Sequence, residues 1–328
     1  MATLVTGGTG FIGQHVVRML VERGDVVHVL RRQRSASLLD TETNVKTFYG
    51  DIVDPESTSR AIRGCGKVIH LAAFARVWVK DPTMLYHINV LGTGNVLKAA
   101  SEAGVQKVVY TSMCSAVQVI EDGIADERSF REPSHFLTEY AHSKFLAEKQ
   151  VESFLEKGVP VVTVYPTRVY GPGRMTDGNA ATKAIALYMR GRLPFMLGHG
   201  DGIANWAYVG DVARGHILAV DHGRVSERYI LGGENVALKD VLTLIDNITG
   251  KKHVRLNLPE KFALAFARFE EFKAERFGIR PFITKGWVES LGKSSPYSSD
   301  TAVRELGYQI TPLHEGLKIT IRRLAEQQ

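Results

Sequence analysis

The chain has 328 residues, 44% hydrophobic and 23% charged, with a formal net charge of +6 at pH 7. That length and balance predict one large or two smaller globular domains and exclude a disordered or fibrous chain. The basic residues fall in short clusters, Arg31-Arg32-Gln33-Arg34 and Lys251-Lys252, rather than one stripe, which argues against a nucleic-acid partner.

Two cysteines, Cys65 and Cys114, make no disulfide framework and no CxxC pair, so reduced thiols and a cytoplasmic location are expected. No apolar run approaches ~20 residues, so no membrane span is expected. Met1 leads at once into a strand pattern, and no signal peptide is expected before it.

Ala2-Thr3-Leu4-Val5 reads as a strand, and Val16, Val17, Leu20 and Val21 as the apolar side of a helix. Between them stands Thr6-Gly7-Gly8-Thr9-Gly10-Phe11-Ile12-Gly13. Gly7 suits a sharp turn off the strand. Gly10 leaves no side chain between backbone and a pyrophosphate, and Gly13 lets the helix pack closely on the sheet. The helix N-terminus then offers amides and a positive dipole end to phosphate.

The second strand, Asp25 to Leu30, ends at Arg31-Arg32. A carboxylate near this position takes the ribose hydroxyls of NAD, whereas arginine suits a 2′-phosphate. No acid follows until Asp40, so NADP(H) is expected, with NAD(H) the less favoured choice. The alternative is two arginines on a solvated loop.

Val45 to Tyr49 is a third strand, followed by Gly50-Asp51-Ile52. Asp51 could meet an adenine by hydrogen bond and Ile52 by packing, or Asp51 could be a turn or cap residue. A helix is expected from Pro55 to Arg63. The fourth strand, Lys67 to Ala73, ends in small residues, Ala72 and Ala73, that admit a cofactor; His70 within it reads as structural. A long helix follows over Pro82 to Ala103, with Asn89 placed to bond across to another helix or simply exposed. Lys107 to Ser112 is the fifth strand. This alternation predicts a parallel, doubly wound α/β sheet with ligands beyond the strands' carboxyl ends. Gly7, Arg31, Asp51, Ala73 and Ser112 all fall at such ends.

A charged loop, Glu121 to Ser134, precedes a helix opening Thr138-Glu139-Tyr140-Ala141-His142-Ser143-Lys144. Tyr140 and Lys144 lie one turn apart on one face. A tyrosine near pKa ~10 is a poor acid–base group at neutral pH, and a neighbouring ammonium lowers that value.

With these residues in view, the chain resembles the extended short-chain dehydrogenase/reductases, within the NAD-dependent epimerase/dehydratase superfamily. The resemblance rests on Thr6 to Gly13, Gly50-Asp51-Ile52, His70-Leu71-Ala72-Ala73, Asn89 to Thr93, Tyr140 to Lys144, Tyr165 to Gly173, Tyr208 to Ala213 and the closing Asp300 to Leu324 stretch. It is most similar to the dihydroflavonol reductase / 3β-hydroxysteroid dehydrogenase-like branch. The resemblance implies a Rossmann domain over 1–168 and 206–233, with a smaller, discontinuous substrate lobe over 169–205 and 234–328. It implies Tyr140 as acid–base on the substrate oxygen and Lys144 holding the nicotinamide ribose. It places Gly7, Thr9, Gly10, Phe11, Ile12, Gly13, Leu71, Ala72 and Ala73 against the cofactor, and Tyr165, Pro166 and Thr167 along the nicotinamide pocket.

The chain departs from the family at the end of the fifth strand. The family has Thr-Ser-Ser, its second serine bonding the reacting oxygen; here Thr111-Ser112-Met113-Cys114-Ser115 puts Met113 there. A thioether donates no hydrogen bond. Ser112 or Ser115 is the candidate replacement, since loss of one such donor costs ~2.7–4 kcal/mol of transition-state stabilisation.

Val159 to Val164 is the sixth strand, and beyond Gly173 the βα rhythm is lost. Sugar-nucleotide relatives carry an arginine after the Gly-Asp-Gly turn; Ile203-Ala204-Asn205-Trp206 stands there instead, leaving Arg174 or Arg280 as substitutes. Phe262, Phe266, Phe269 and Phe272 recur at helical spacing, which predicts core packing, with a lid or a dimer face as rivals. No metal site is expected. The sequence thus predicts an NADP(H)-dependent alcohol dehydrogenase or carbonyl reductase on an apolar or aromatic small molecule, possible as a homodimer. The rivals are a sugar-nucleotide epimerase or dehydratase, and a cofactor-sensing or scaffold protein that has lost catalysis.

Overall fold

The computed structural model describes residues 1–32, 43–116, 123–176 and 178–326. Gln33, Arg34, Asp40 and Glu121 of the sequence reading lie outside them.

The first half alternates strand and helix. In order come β1 (Ala2–Thr6), α1 (Phe11–Glu22), β2 (Val27–Arg31), β3 (Val45–Tyr49), α2 (Pro55–Ile62) and β4 (Cys65–His70). Then follow α3 (Thr83–Tyr86), α4 (Gly92–Glu102), β5 (Lys107–Thr111), α5 (Glu139–Glu156) and β6 (Val161–Pro166). The expected long helix over Pro82 to Ala103 is interrupted by one π-helical stretch, His87–Leu91, between α3 and α4. The reason is Asn89, which the bulge brings inward: its Nδ2 donates to Ser143 Oγ at 2.8 Å and its Oδ1 accepts from the Phe74 amide at 2.7 Å.

The second half supplies β7 (Arg168–Tyr170), α6 (Ala180–Met189), β8 (Phe195–Leu197), β9 (Ile203–Tyr208), α7 (Val209–His222) and β10 (Arg228–Leu231). It continues with β11 (Glu234–Ala237), α8 (Leu238–Thr249), β12 (Leu256–Leu258), α9 (Glu260–Phe277), α10 (Lys285–Gly292), α11 (Asp300–Leu306) and α12 (Leu313–Glu326).

Seven strands form one parallel sheet in the order β10-β6-β5-β4-β1-β2-β3. The order reverses between β1 and β4, the position where ligands enter such sheets. The strands are near-continuous Val, Ile and Leu because helices cover both faces. One layer joins Val16, Val17 and Leu20 to Val212, Ile217 and Val220 across the sheet residues Val5 and Val29. The other joins Leu4, Val68 and Val108 to Ile62, Val96 and Leu97. A smaller sheet, β11-β9-β7, packs with α6, α8 and α12 around Trp206, Ile245 and Leu317.

The phenylalanines of α9 do not pack in the core. Phe262, Phe266, Phe269 and Phe272 are 67, 47, 57 and 59% exposed. The buried side of the helix is Ala263, Ala267, Glu270 and Ala274. Small side chains let α9 lie close on Val288 of α10, and that contact turns the large rings outward.

Candidate active site

The glycine turn is stitched to the end of β4. Thr6 Oγ1 lies 2.6 Å from His70 Nδ1 and accepts from the Ala72 amide at 3.3 Å. His70 Nε2 is 3.0 Å from Thr93 Oγ1, and burial pushes the imidazole down to about 3, which keeps it neutral and structural. Gly7 has φ +72, and a Cβ there would come within 2.6 Å of the Ala72 nitrogen. A Cβ on Gly13 would run into the Gly7 carbonyl oxygen. Gly10 is the N-cap of α1 and offers no capping side chain, so the first-turn amides of Phe11, Ile12 and Gly13 keep their donors. Thr9 sits in the same turn. A bare helix N-terminus cradled by glycines fits a pyrophosphate.

At the end of β2, Arg31 is buried with its guanidinium 5.2 Å from the Tyr49 ring centroid, and Nη2 donates to Tyr49 Oη at 3.1 Å. Arg32 beside it is exposed. Asp51 forms a turn, accepting from the Val53 amide at 3.3 Å, while Asp54 caps α2. Ile52 is buried in the core beneath Gly92.

The first turn of α5 is fixed by Thr138, whose side chain accepts from the Ala141 amide at 3.1 Å. Tyr140 is partly buried, and burial pushes its phenol up to about 12. Lys144 is 3% exposed; Nζ donates to the Thr111 carbonyl at 2.6 Å and lies 4.3 Å from the Tyr110 ring centroid. Burial lowers Lys144 to about 7, against the opposing pull of Glu148. The expected depression of the Tyr140 phenol by Lys144 is therefore not what the protein alone displays. The ammonium is held by Thr111 and Tyr110, and desolvation dominates the phenol.

Glu148 is the group that sequence reasoning missed. It is buried, and its two carboxylate oxygens accept from the hydroxyls of Ser112 and Tyr165, the second at 2.7 Å. Burial raises its pKa, while those two hydrogen bonds lower it. The available signal was spacing: Tyr140, Lys144 and Glu148 succeed one another at steps of four on α5. Ser112 is thus bonded inward to Glu148. Ser115 is exposed on a one-turn 3₁₀ helix, Cys114–Ala116. Neither serine hydrogen-bonds to Tyr140. Tyr165 turns its hydroxyl into the protein rather than toward a ligand. Pro166 ends β6 opposite Leu231, and Thr167 Oγ1 donates to Asn205 Oδ1 at 2.8 Å.

A cavity of roughly 370 Å³ opens beside the first turn of α5. Trp78, Phe136 and Leu137 supply its apolar lining, and Glu139 and Glu271 contribute carboxylates. His142 lines it too, stacked 4.7 Å from the Phe136 ring centroid. Among the described residues no group of three or more His, Cys, Asp or Glu is placed to hold a metal ion. Nor is any helix among them long and apolar enough to cross a membrane.

Residues 3–232 match the model of the NAD dependent epimerase/dehydratase family. The chain is 32% identical to a Synechocystis sp. protein that carries the provisional name dihydroflavonol 4-reductase, over 95% of this chain and 91% of that one. It is 30% identical to a Stenotrophomonas maltophilia protein named 2-alkyl-3-oxoalkanoate reductase, over 97% and 98%. Among solved structures, gox2253 superposes with a TM-score of 0.85 at 35% identity, covering 99% of this chain and 98% of the other. A UDP-glucose 4-epimerase from Thermotoga maritima superposes at 0.82 with 25% identity, covering 100% and 99%. A glycine cradle at the β1–β4 switch point, a Tyr-x-x-x-Lys pair on α5 and a family match over most of the length agree: this chain belongs to the NAD dependent epimerase/dehydratase family, the extended short-chain dehydrogenase/reductases.

Proposed function

We propose that the protein is an NADP(H)-dependent alcohol dehydrogenase or carbonyl reductase acting on an apolar or aromatic small molecule. The observation that carries this reading is the placement of Tyr140 and Lys144 on one face of α5, Lys144 bound to the last residue of β5 at the ligand end of the sheet. The reductase names of the relatives support the same chemistry.

A nicotinamide bound along the glycine turn would supply the hydride chemistry, to a carbonyl carbon in reduction and from the carbinol carbon in oxidation. Phe11, Ile12 and Gly13 would offer amides to its pyrophosphate, and Leu71, Ala72 and Ala73 would leave room beside it. Arg31 and Arg32 favour a 2′-phosphate. Tyr140, held as a neutral phenol at pH 7, has the proton to give as an alkoxide forms in reduction. Lys144 presents a cation to the ribose hydroxyls next to that phenol. Residues 1–168 and 206–233 form the cofactor domain on this reading, and 169–205 with 234–328 the substrate lobe. The buried thiols of Cys65 and Cys114 suit the cytoplasm.

The rival reading is a sugar-nucleotide epimerase, favoured by the likeness to the Thermotoga structure. Against it, the residues lining the cavity beside α5 include no lysine or arginine to meet a diphosphate. Asn205, in the segment where the relatives' arginine is expected, is engaged with Gly233, Asn235 and Tyr297.

The test is Tyr140→Phe assayed with NADPH against aromatic and long-chain aldehydes and ketones. Turnover should be lost, while NADPH affinity stays within about threefold, because the ring and its packing remain. Full activity in that variant would sink the assignment.

A further inference from the structure

The first residue of β7 is a cation that the protein does not neutralise. Arg168 follows directly on Tyr165, Pro166 and Thr167, past the carboxyl end of β6. It pairs in register with Trp206 of β9, and its guanidinium lies 5.2 Å from the centroid of that indole. Among the described residues no carboxylate or other acceptor takes a hydrogen bond from it. Other half-buried arginines are matched: Arg255 meets Asp246 at 2.6 Å and Arg228 meets Glu152 at 3.2 Å. Burial pulls Arg168 below the ordinary arginine value, yet guanidinium does not deprotonate at working pH. A partly desolvated charge without a partner is destabilising and gains most from an anion brought to it.

A second donor stands beside it. Tyr297 is brought to the same place through Asn205, the chain neighbour of Trp206, whose Nδ2 donates to the Tyr297 carbonyl at 3.1 Å. Its backbone is pinned by Asn205 and Asn235, and its ring packs on Cys114, Phe130 and Tyr165. Among the described residues its hydroxyl has no hydrogen-bond partner. Trp206 fixes the guanidinium and the two asparagines fix the tyrosine, so both donors are held without facing an acceptor. They stand past the ends of β5 and β6, the end at which ligands bind in such sheets.

We propose that Arg168 and Tyr297 form an anion subsite that receives a carboxylate of the substrate, so that the preferred substrates are hydroxy or oxo acids with an apolar body. This rests on the redox reading above. A planar guanidinium pairs bidentately with a carboxylate, and phosphate shares that chemistry. One cation matches one carboxylate, whereas a diphosphate calls for more positive charge than Arg168 provides.

The probes are 3-hydroxydodecanoate, its methyl ester and UDP-glucose. With NADP⁺, the wild-type protein should prefer acid over ester in kcat/KM by about a hundredfold, the worth of one charged hydrogen-bonded pair. Arg168→Met should bring that ratio to near one, Arg168→Lys should keep part of it, and Tyr297→Phe should lower it severalfold. Protection against thermal unfolding by each probe, measured in parallel, reads binding without turnover. If neither lipid is turned over but the acid protects wild type and not Arg168→Met, the redox reading fails and the subsite stands. Equal treatment of acid and ester with no acid-specific protection overturns the subsite. Protection by UDP-glucose alone, lost in Arg168→Met, overturns the carboxylate assignment in favour of phosphate.

Discussion

Ser112 gives its hydroxyl proton to Glu148, not to anything beside Tyr140. The nearest serine in sequence to the position held by Met113 is thereby committed to a buried carboxylate that also takes the Tyr165 hydroxyl at 2.7 Å. Glu148→Ala would strand two buried hydroxyls, at a cost of about 1–3 kcal/mol each. Urea unfolding should show a loss of that order. Ser112→Ala should lower stability far more than turnover. If it lowered kcat as deeply as Tyr140→Phe, Ser112 would be the oxyanion donor after all.

Lys144 makes stability depend on pH. Its folded value is lowered to about 7 by burial, whereas an unfolded lysine titrates near ~10.4. Between those values the unfolded chain binds the extra proton, so this group's contribution rises with pH across the window and is least favourable below pH 7. Lys144→Met removes that penalty. The variant should be more stable than wild type at pH 6, by roughly 1–3 kcal/mol after loss of the Thr111 hydrogen bond, and the gap should shrink toward pH 10. A gap independent of pH in thermal melts would show that Lys144 is not the titrating group.

The glycines of the turn separate folding from binding. A Cβ on Gly13 meets the Gly7 backbone, so Gly13→Ala should destabilise by about 1–3 kcal/mol and disturb the turn itself. On Gly10 a Cβ would meet the Gly7 oxygen at 3.0 Å, a tight contact but far less severe than the one at Gly13. Gly10→Ala should therefore fold with a smaller loss than Gly13→Ala and fail to bind NADPH. Calorimetric titration beside a thermal melt distinguishes the two.

On the proposed reading, Arg31 and Arg32 carry the cofactor preference. Replacing both by alanine should weaken NADPH by about 10- to 100-fold and NADH hardly at all, since only one carries the 2′-phosphate. Equal losses for both dinucleotides in fluorescence titrations would remove the 2′-phosphate assignment.

The rings of α9 contribute little to the fold. Phe266→Ser and Phe269→Ser should each change unfolding free energy by no more than about 0.5 kcal/mol, against about 3–5 kcal/mol for removal of a core phenylalanine. A large loss in either variant would return those rings to the core.

The sequence by itself determined the parallel sheet, the glycine turn and the Tyr140–Lys144 pair. Each is a local pattern: short continuous apolar runs, a glycine triplet between strand and helix, a step of four on one helix. It located β3 at Val45–Tyr49 and the start of α2 at Pro55, where turn residues separate the two. What it could not determine is how groups far apart in the chain share one space. The partner of Ser112 lies 36 residues away on α5, and that of Thr167 lies 38 away on β9. The phenylalanine stripe has the periodicity of a buried face, yet Ala263, Ala267 and Ala274 face inward, because which arc of a helix is covered depends on its neighbour α10. The charge states followed the same rule. Spacing places Lys144 beside Tyr140, but burial and the Thr111 carbonyl decide which way each proton equilibrium moves.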